Sequence, residues 1–327
     1  MNVIKILSLL GFFLVISCGG KDTYRWEIDN EPEIESFEIV DVSKAYFDSS
    51  ISNANLKSDF PDFFEGSEDS LLNTRRSDTV SNQLHNEVIT KYPELEIFRD
   101  SLNDIFKRLT YFYPNFKVPT VYTFTGEMPY EYPVAYFPDS RDMVIGPDWF
   151  LGKENPSYDV LGIQEYFRSQ MNPTNFKPKV VESIARQMVP YDIRKRNFIE
   201  KMIYEGKLLI IQDALLPETS DAEKIGYTDE KLAWAFENEA QIYLYFTEEQ
   251  IFFSDDRRLN ERFLEPAPFS KFYSENDTHS PGRIGAWMGW QICRAYLNKN
   301  KDISLQEFIM DQDLLKIFKE SGYKPVD

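Results

Sequence analysis

The sequence predicts an α+β fold in which a small mixed sheet precedes a mainly helical C-terminal body. Three observations predict it: apolar residues at helical spacing up to Phe112, three short strand-like segments between residues 119 and 145, and helical spacing again from Lys179 onwards. Apolar residues make up 42% of the 327 residues and aromatic residues 15%, so the chain can bury a core and is neither disordered nor fibrous.

The first residues have the pattern of a bacterial lipoprotein signal peptide. One positive charge, Lys5, precedes an apolar run from Ile6 to Ile16, which is too short to span a bilayer. The run ends in Val15-Ile16-Ser17-Cys18, which resembles a lipobox because an aliphatic residue at position minus three and a small residue at minus one precede the cysteine. We therefore expect cleavage before Cys18 and attachment of fatty acyl chains to it. A chance cysteine after an ordinary signal peptide is the alternative.

This N-terminal segment sets the expected domain organisation. The predicted units are a signal peptide (1–17), a lipidated cysteine and tether (18–33), and one globular domain (34–327) with an acidic N-terminal region (34–90), a sheet region (91–152) and a helical body (153–327). No other run approaches about 18 apolar residues, so the membrane is expected as a partner only through the lipid on Cys18. No Asp follows Cys18, which favours the outer membrane over the inner membrane.

The net charge and the few cysteines and histidines exclude several classes of function. The formal charge of -18 repels nucleic-acid phosphates, so no nucleic acid is expected as a partner. With Cys18 acylated, Cys293 has no partner for a disulfide, so the exported domain must be stable without one. The two histidines, His85 and His279, are both expected at the surface.

The elements before the helical body are predicted from apolar spacing. An alternating segment, Ile34–Val40, predicts a strand in the acidic region, and Asp59–Ser70 is predicted as a loop. Apolar positions three and four residues apart predict a helix between Pro93 and Phe112. Strand-like runs bounded by turn residues predict strands at Pro119–Phe124, Pro133–Phe137 and Asp142–Ile145.

Capping residues mark the later helices of the body. Thr228 is predicted to cap a helix that continues through Phe246, and Ser280 is predicted to begin another helix before Pro281. Ser304 and Glu307 form a capping box at the start of the last predicted helix.

A predicted helical hairpin around Pro190 contains the main candidate site. A short sheet followed by two helices and a carboxylate is the layout of zinc peptidases, in which an H-E-x-x-H motif places two histidines on one helix face. The corresponding stretch is Val181-Glu182-Ser183-Ile184-Ala185, which keeps the glutamate but has apolar residues in place of both histidines. Glu205 follows on the next predicted helix, where a third ligand would be expected.

Two interpretations of this stretch are open. In one, Val181 and Ala185 are ordinary core positions and Glu182 pairs with Arg186 one helical turn later, a weak interaction. In the other, the fold is a degenerate zincin-like (metallopeptidase-like) fold with a vestigial cleft formed by Val181, Glu182, Ala185 and Glu205. Both lead us to expect no enzyme activity, no catalytic or metal-binding residue and no cofactor, because a carboxylate pair without imidazole is a poor zinc site.

Several runs in the C-terminal half carry a family resemblance. They are Met202–Lys207, Ile225–Thr228, Asn238-Glu239, Ala267–Phe272 and Ser280–Ile292. Together with the lipobox and Asp148–Gly152, they resemble the GldB family of gliding-motility lipoproteins of Bacteroidetes. The resemblance implies a lipid-anchored envelope protein required for gliding and linked to the associated secretion apparatus, with other proteins of that machinery as partners. It implies no reaction, because the family has no established catalytic residues.

The function expected from the residues and the resemblance together is protein–protein contact without catalysis. The candidate contact surface consists of Phe269, Lys271, Phe272 and Arg283, with ordinary loop packing as the alternative. A second possibility is a metal-dependent hydrolase or peptidase that uses Glu182 and Glu205. A third is a glycan- or peptide-binding module in a former peptidase cleft, where aromatic side chains stack on a ligand.

Overall fold

Four short strands form one mixed sheet in the computed structural model, which describes residues 23–275 and 277–325. The strands are β1 (Ile39–Asp41), β2 (Thr120–Thr123), β3 (Val134–Phe137) and β4 (Asp142–Ile145), in the order β1-β2-β4-β3. β1 is parallel to β2 and β2 is parallel to β4, whereas β3 is antiparallel to β4. The mixed sheet and the three strands predicted after residue 119 are confirmed, but the strand predicted at 34–40 forms only at its end.

Helices account for most of the remaining described chain. Between β1 and β2 they are α1 (Val42–Tyr46), α2 (Asn53–Asp59), α3 (Pro61–Phe64), α4 (Asp69–Arg76), α5 (Thr79–Lys91) and α6 (Glu96–Phe112). After β4 they are α7 (Pro156–Val160), α8 (Glu165–Arg168), α9 (Phe176–Met188), α10 (Phe198–Leu215), α11 (Asp221–Ile225), α12 (Asp229–Glu237), α13 (Glu239–Glu248), α14 (Arg258–Phe263), α15 (Ile284–Lys299), α16 (Leu305–Met310) and α17 (Leu314–Ser321). None of these helices is long and apolar enough to cross a membrane. The predicted helix at 93–112 and the α+β class are confirmed.

The acidic N-terminal region is helical rather than irregular. The loop predicted at 59–70 was wrong, because this segment contains α3, with Pro61 in its first turn, and the start of α4. These helices are too short to show a clear apolar period in the sequence. They are held by a small apolar cluster of their own, which consists of Val42, Tyr46, Leu56, Phe64, Leu72 and Phe124.

The caps predicted for the helical body are partly confirmed. The Thr228 side chain accepts a hydrogen bond from the N–H of Lys231 at the start of α12, and Ser304 and Glu307 form the capping box of α16. The helix after Thr228 is shorter than predicted, because Asn238 separates α12 from α13.

The start predicted for a helix at Ser280 was wrong. α15 begins at Ile284, directly after Arg283, whose φ of 58° is left-handed. Ser280 closes a buried turn instead: its Oγ donates to the carbonyl of Asp277 at 2.6 Å and accepts from the N–H of Ser270 at 3.0 Å. This turn brings the chain to Arg283 before the helix begins.

Two buried helices, α10 and α15, form the centre of the helical body. Their backbones touch where each helix carries a glycine. A Cβ added to Gly206 would press on the backbone of Gly289, and a Cβ added to Gly289 would overlap the carbonyl oxygen of Met202. Any larger side chain at either glycine would therefore push the helices apart.

A buried ion network holds the two helices together beyond this contact. Asp213 of α10 accepts hydrogen bonds from Trp290 and Arg294 of α15, and it pairs with Lys224 of α11 at 2.9 Å. Arg294 also pairs with Asp221 at 2.7 Å, so two acids face two bases. Burial opposes ionisation of Asp213, but Arg294 and Lys224 outweigh it and hold the pKa of Asp213 below its usual value.

We expect Gly289→Ala to destabilise the fold strongly, because the new Cβ would occupy the position of the Met202 carbonyl oxygen. The free energy of unfolding, measured by urea denaturation, should fall by about 3 kcal/mol. Gly66→Ala is the matched control, since a Cβ at Gly66 meets no atom within 4 Å. That variant should stay within about 0.5 kcal/mol of the parent chain. Equal stability of the two variants would contradict a close helix contact.

Candidate functional site

A cleft of about 570 Å³, here called the central cleft, lies between α9, α10 and the loops around them. α10 contributes Lys201, Tyr204 and Glu205, which are the three residues of this helix that are not buried. Glu182 lines the same cleft from α9. The two glutamates that the sequence singles out are therefore brought together.

Five charged side chains of alternating sign form an ion network along the central cleft. Their order is Lys179, Glu182, Arg186, Glu205 and Arg283. Lys179 pairs with Glu182 at 3.4 Å, and Arg186 pairs with Glu182 at 2.8 Å. Arg186 and Arg283 each pair with Glu205 at 3.3 Å. Three bases thus face two acids, and every member of the network has an oppositely charged partner.

The network keeps Glu182 ionised. Burial alone would raise the pKa of this carboxyl, but Lys179, Arg186 and Arg283 outweigh burial and hold the pKa of Glu182 far below its usual value. A carboxylate that stays ionised at physiological pH has no proton to donate, so Glu182 is unsuited to act as a general acid.

The other two residues predicted as a vestigial cleft do not line the central cleft. Val181 and Ala185, at the histidine positions of the metallopeptidase pattern, are fully buried in the core. The guanidinium of Arg186 bonds to both Glu182 and Glu205, in the space that a shared divalent cation would need. Among residues 23–275 and 277–325, no group of three or more His, Cys, Asp or Glu side chains is placed to hold a metal ion. The zincin-like interpretation is not confirmed.

The individual aromatic residues that line the central cleft were not predicted from the sequence. Tyr130 and Tyr132 belong to the loop before β3, Trp149 follows β4, and Tyr191 lies between α9 and α10. Tyr132 and Tyr191 are 65% and 60% exposed, whereas Trp149 is buried and packs edge-on against Tyr130. These residues come from three separate loops, so no spacing in the sequence relates them.

A buried carboxylate holds the loop that carries Tyr130 and Tyr132. Asp148 accepts a hydrogen bond from the N–H of Gly126, at the start of this loop, at 3.1 Å, and its carbonyl accepts one from the Tyr158 hydroxyl at 2.6 Å. Its second carboxylate oxygen has no hydrogen-bond partner among the described residues. Burial raises the pKa of Asp148 to about 7, and the Gly126 bond opposes this only in part.

A second cavity of about 340 Å³ adjoins the central cleft. The two share a boundary that consists of Gln170, Pro266 and Arg283. Arg283 reaches both sides of it, because one nitrogen donates to Glu205 and another to the carbonyl of Ile225. Tyr166 and Tyr227 are the aromatic residues of the second cavity. The central cleft and the second cavity together are called the groove below.

The four residues predicted as a contact surface differ in exposure. Lys271 is exposed and Phe269 is partly buried. Phe272 packs into the core, with its ring centroid 5.2 Å from that of Phe263. Arg283 bonds within the ion network rather than facing outwards. The contact surface itself stays a prediction.

Among the described residues, neither Cys293 nor either histidine lines the groove. Cys18 and the predicted signal peptide fall outside the described residues. Cys293 is free and buried, and burial raises its pKa to about 12, so the thiolate is not available for reaction. His279 is exposed, whereas His85 is partly buried and stacks on Phe47 at 4.5 Å, so the surface prediction for His85 was wrong.

One comparison with known proteins gives a match. A family model described as gliding motility protein GldB matches residues 23–325, nearly the whole chain. No curated protein and no solved structure gives a significant match. The matched range contains the ion network and both cavities of the groove.

Replacing Arg186 with Met should destabilise the fold at neutral pH, because Glu182 and Glu205 would lose the base between them. We expect the free energy of unfolding to fall by about 2 kcal/mol. The loss should shrink below about pH 4, because the parent loses the stability due to Glu182 as the pH falls from the ordinary pKa of this carboxyl towards its lowered pKa in the folded protein.

Urea denaturation across this pH range measures the effect of Arg186→Met. Arg194→Met is the matched control, since its ion pair with Asp192 lies at the surface and the Arg194 side chain is 85% exposed. The control should change stability by less than about 0.5 kcal/mol at any pH. An equal loss in the two variants would argue against a structural role for the network.

Asp148→Asn should stabilise the protein in alkaline solution. The raised pKa means that the folded parent binds a proton more tightly than the unfolded chain, so parent stability falls as the pH rises towards 7. The advantage of the variant over the parent should grow by about 3 kcal/mol between about pH 5 and about pH 8 in urea denaturation. Asp139→Asn, at an exposed acid, should show no such growth. A stability difference between Asp148→Asn and the parent that does not change with pH would contradict the raised pKa of Asp148.

Proposed function

Because the chain belongs to the GldB family of gliding motility proteins, we propose that it is a lipid-anchored envelope protein required for gliding and linked to the associated secretion apparatus. The observation that carries the proposal is the family match over residues 23–325. The protein works through contacts with other proteins of that machinery and catalyses no reaction.

Lipid anchoring is supported by the residues before the matched range. The sequence Val15-Ile16-Ser17-Cys18 resembles a lipobox, and the apolar run before it is too short to serve as a membrane span. Acylation at Cys18 attaches more than one chain, which gives stable membrane binding. The residue after Cys18 is Gly rather than Asp, which favours the outer membrane.

The position of the first described residues suggests how an anchored body is oriented. Arg25 donates a hydrogen bond to the carbonyl of Leu297, near the end of α15. Arg108 donates to the carbonyls of Trp26 and Ala214, the latter near the end of α10. Hydrogen bonds therefore hold the first described residues at the C-terminal ends of α10 and α15.

The central cleft lies towards the other end of α10. Lys201 is about 20 Å from Ala214 along the helix axis, at about 1.5 Å per residue. Only Gly19–Asp22 separate Cys18 from Thr23, a connection that spans less than about 18 Å even when fully extended. We infer that the C-terminal end of α10 faces the bilayer and that the central cleft faces away from it.

Contact with the machinery is assigned to the exposed part of the loop before α15. Lys271 is the exposed member of the predicted contact surface, and Tyr273 beside it is 78% exposed. The Tyr273 ring lies over the guanidinium of Arg262 at 4.5 Å, which restricts its position. An exposed aromatic ring held in place is suited to contact with a partner protein.

Cys18→Ala should abolish the incorporation of labelled palmitate into the protein and move the protein out of the membrane fraction. It should also fail to restore gliding to a strain that lacks the chain, because the body would no longer be held at the membrane. Cys293→Ala is the matched control, since it removes the chain's other cysteine, which is buried and free. The control should be labelled, stay with the membrane and restore gliding.

Two results would contradict the proposal separately. Palmitate labelling of the Cys18→Ala chain would show that Cys18 is not the lipidated residue. Normal gliding by cells that lack the chain would show that the protein is not required for gliding.

A further inference from the structure

We propose that the groove binds a neutral saccharide chain, with its rings stacked on exposed tyrosines and its hydroxyls bonded to the ion network. The proposal rests on the geometry of the groove alone, so it stands or falls independently of the lipid anchor and of gliding. The groove has the size and the mixed aromatic and polar lining of a ligand site.

The charge of the lining argues for a neutral ligand. The charged residues that line the central cleft are the bases Lys179, Arg186, Lys201 and Arg283 and the acids Glu131, Glu182, Glu205 and Glu265. The four positive and four negative charges balance, and an anionic group would meet Glu182 and Glu205 as soon as it approached Arg186. A cationic group would meet the bases in the same way. Charge of either sign therefore gains little in this cleft.

The hydrogen-bonding capacity of the network argues for hydroxyl groups. Carboxylates accept and ammonium and guanidinium groups donate, and these side chains have more bonding positions than their mutual ion pairs use. A hydroxyl both donates and accepts, so adjacent hydroxyls of a sugar ring can bond to neighbouring members such as Glu182 and Lys179. Such charge-assisted bonds are about twice as strong as neutral ones. An apolar peptide side chain would instead bury these groups without new partners, which is unfavourable.

The exposed tyrosines provide flat surfaces for the apolar faces of sugar rings. Tyr132 and Tyr191 are 65% and 60% exposed and line the central cleft. Tyr191 packs edge-on against Tyr204 at 5.0 Å, so its ring has a defined position. An aromatic face beside hydrogen-bonding groups matches a pyranose ring, which has an apolar face and a rim of hydroxyls.

The length of the groove argues for a chain rather than a single ring. The second cavity continues past Arg283 and carries Tyr166 and Tyr227. Arg283 stands at the boundary with donors on both sides, towards Glu205 and towards the carbonyl of Ile225. A saccharide that occupies both cavities would pass over Arg283, where hydroxyls of two successive rings can accept from it.

Calorimetric titration of the full chain tests the proposal. The protein is held in a detergent without a sugar headgroup, so that detergent does not compete for the groove. The probes are tetrasaccharides of glucose and of N-acetylglucosamine, an anionic tetrasaccharide of galacturonic acid, and a tetra-alanine peptide. We expect at least one neutral tetrasaccharide to bind, and Tyr191→Ala to weaken its binding about tenfold.

Tyr111→Ala is the matched control, because Tyr111 is also exposed but lies outside both cavities. The affinity of the Tyr111→Ala variant for the tetrasaccharide should stay within about twofold of that of the parent. Tyr132→Ala provides a second test at an exposed ring, where loss of folding is not expected. Failure of both neutral tetrasaccharides to bind, equal binding by the Tyr191 and Tyr111 variants, or tighter binding of the peptide or the anionic chain would each overturn the proposal.

Discussion

The close contact of α10 and α15 at Gly206 and Gly289 is the constraint on which the helical body depends. With no side chain between the backbones, the two helices approach closely enough for the Cys293 thiol to reach the carbonyl of Ile203. α15 and the surrounding helices then cover α10 on nearly every side. The central cleft is the gap in that cover, because it lies at the three residues of α10 that are only partly buried, Lys201, Tyr204 and Glu205.

The same helix pair explains where the charged groups lie. Besides Glu200 in its first turn, α10 carries two carboxylates, Glu205 and Asp213, and the chain of α15 supplies an arginine to each: Arg283 just before the helix and Arg294 within it. A carboxylate left unpaired in such surroundings would cost several kcal/mol. Packing α10 against α15 therefore requires both arginines in register with both acids, which helps to select one arrangement of the two helices.

The sequence was sufficient for features that depend on local pattern. Residues close together in the sequence determine the helix that ends at Phe112, the strands after residue 119 and the Thr228 cap. The short helices near residue 60 were missed because each buries few residues. Glu182 and Glu205 both line the central cleft, where Arg186 bonds to each of them. The tyrosines of this cleft could not be predicted, because they lie on loops that meet only in the folded chain.

The attachment of the N-terminal segment has a mechanical consequence. A pull on Thr23 acts on the hydrogen bonds of Arg25 and Arg108, and these bonds end on the carbonyls that close α15 and α10. Tension between this end and an object held in the central cleft would therefore run along the axis of α10. Residues 23–26 are held by these polar bonds and by the buried Trp26, whereas α10 and α15 are held by a longer apolar contact and a buried ion network. Under load we therefore expect residues 23–26 to detach while the helical body stays folded.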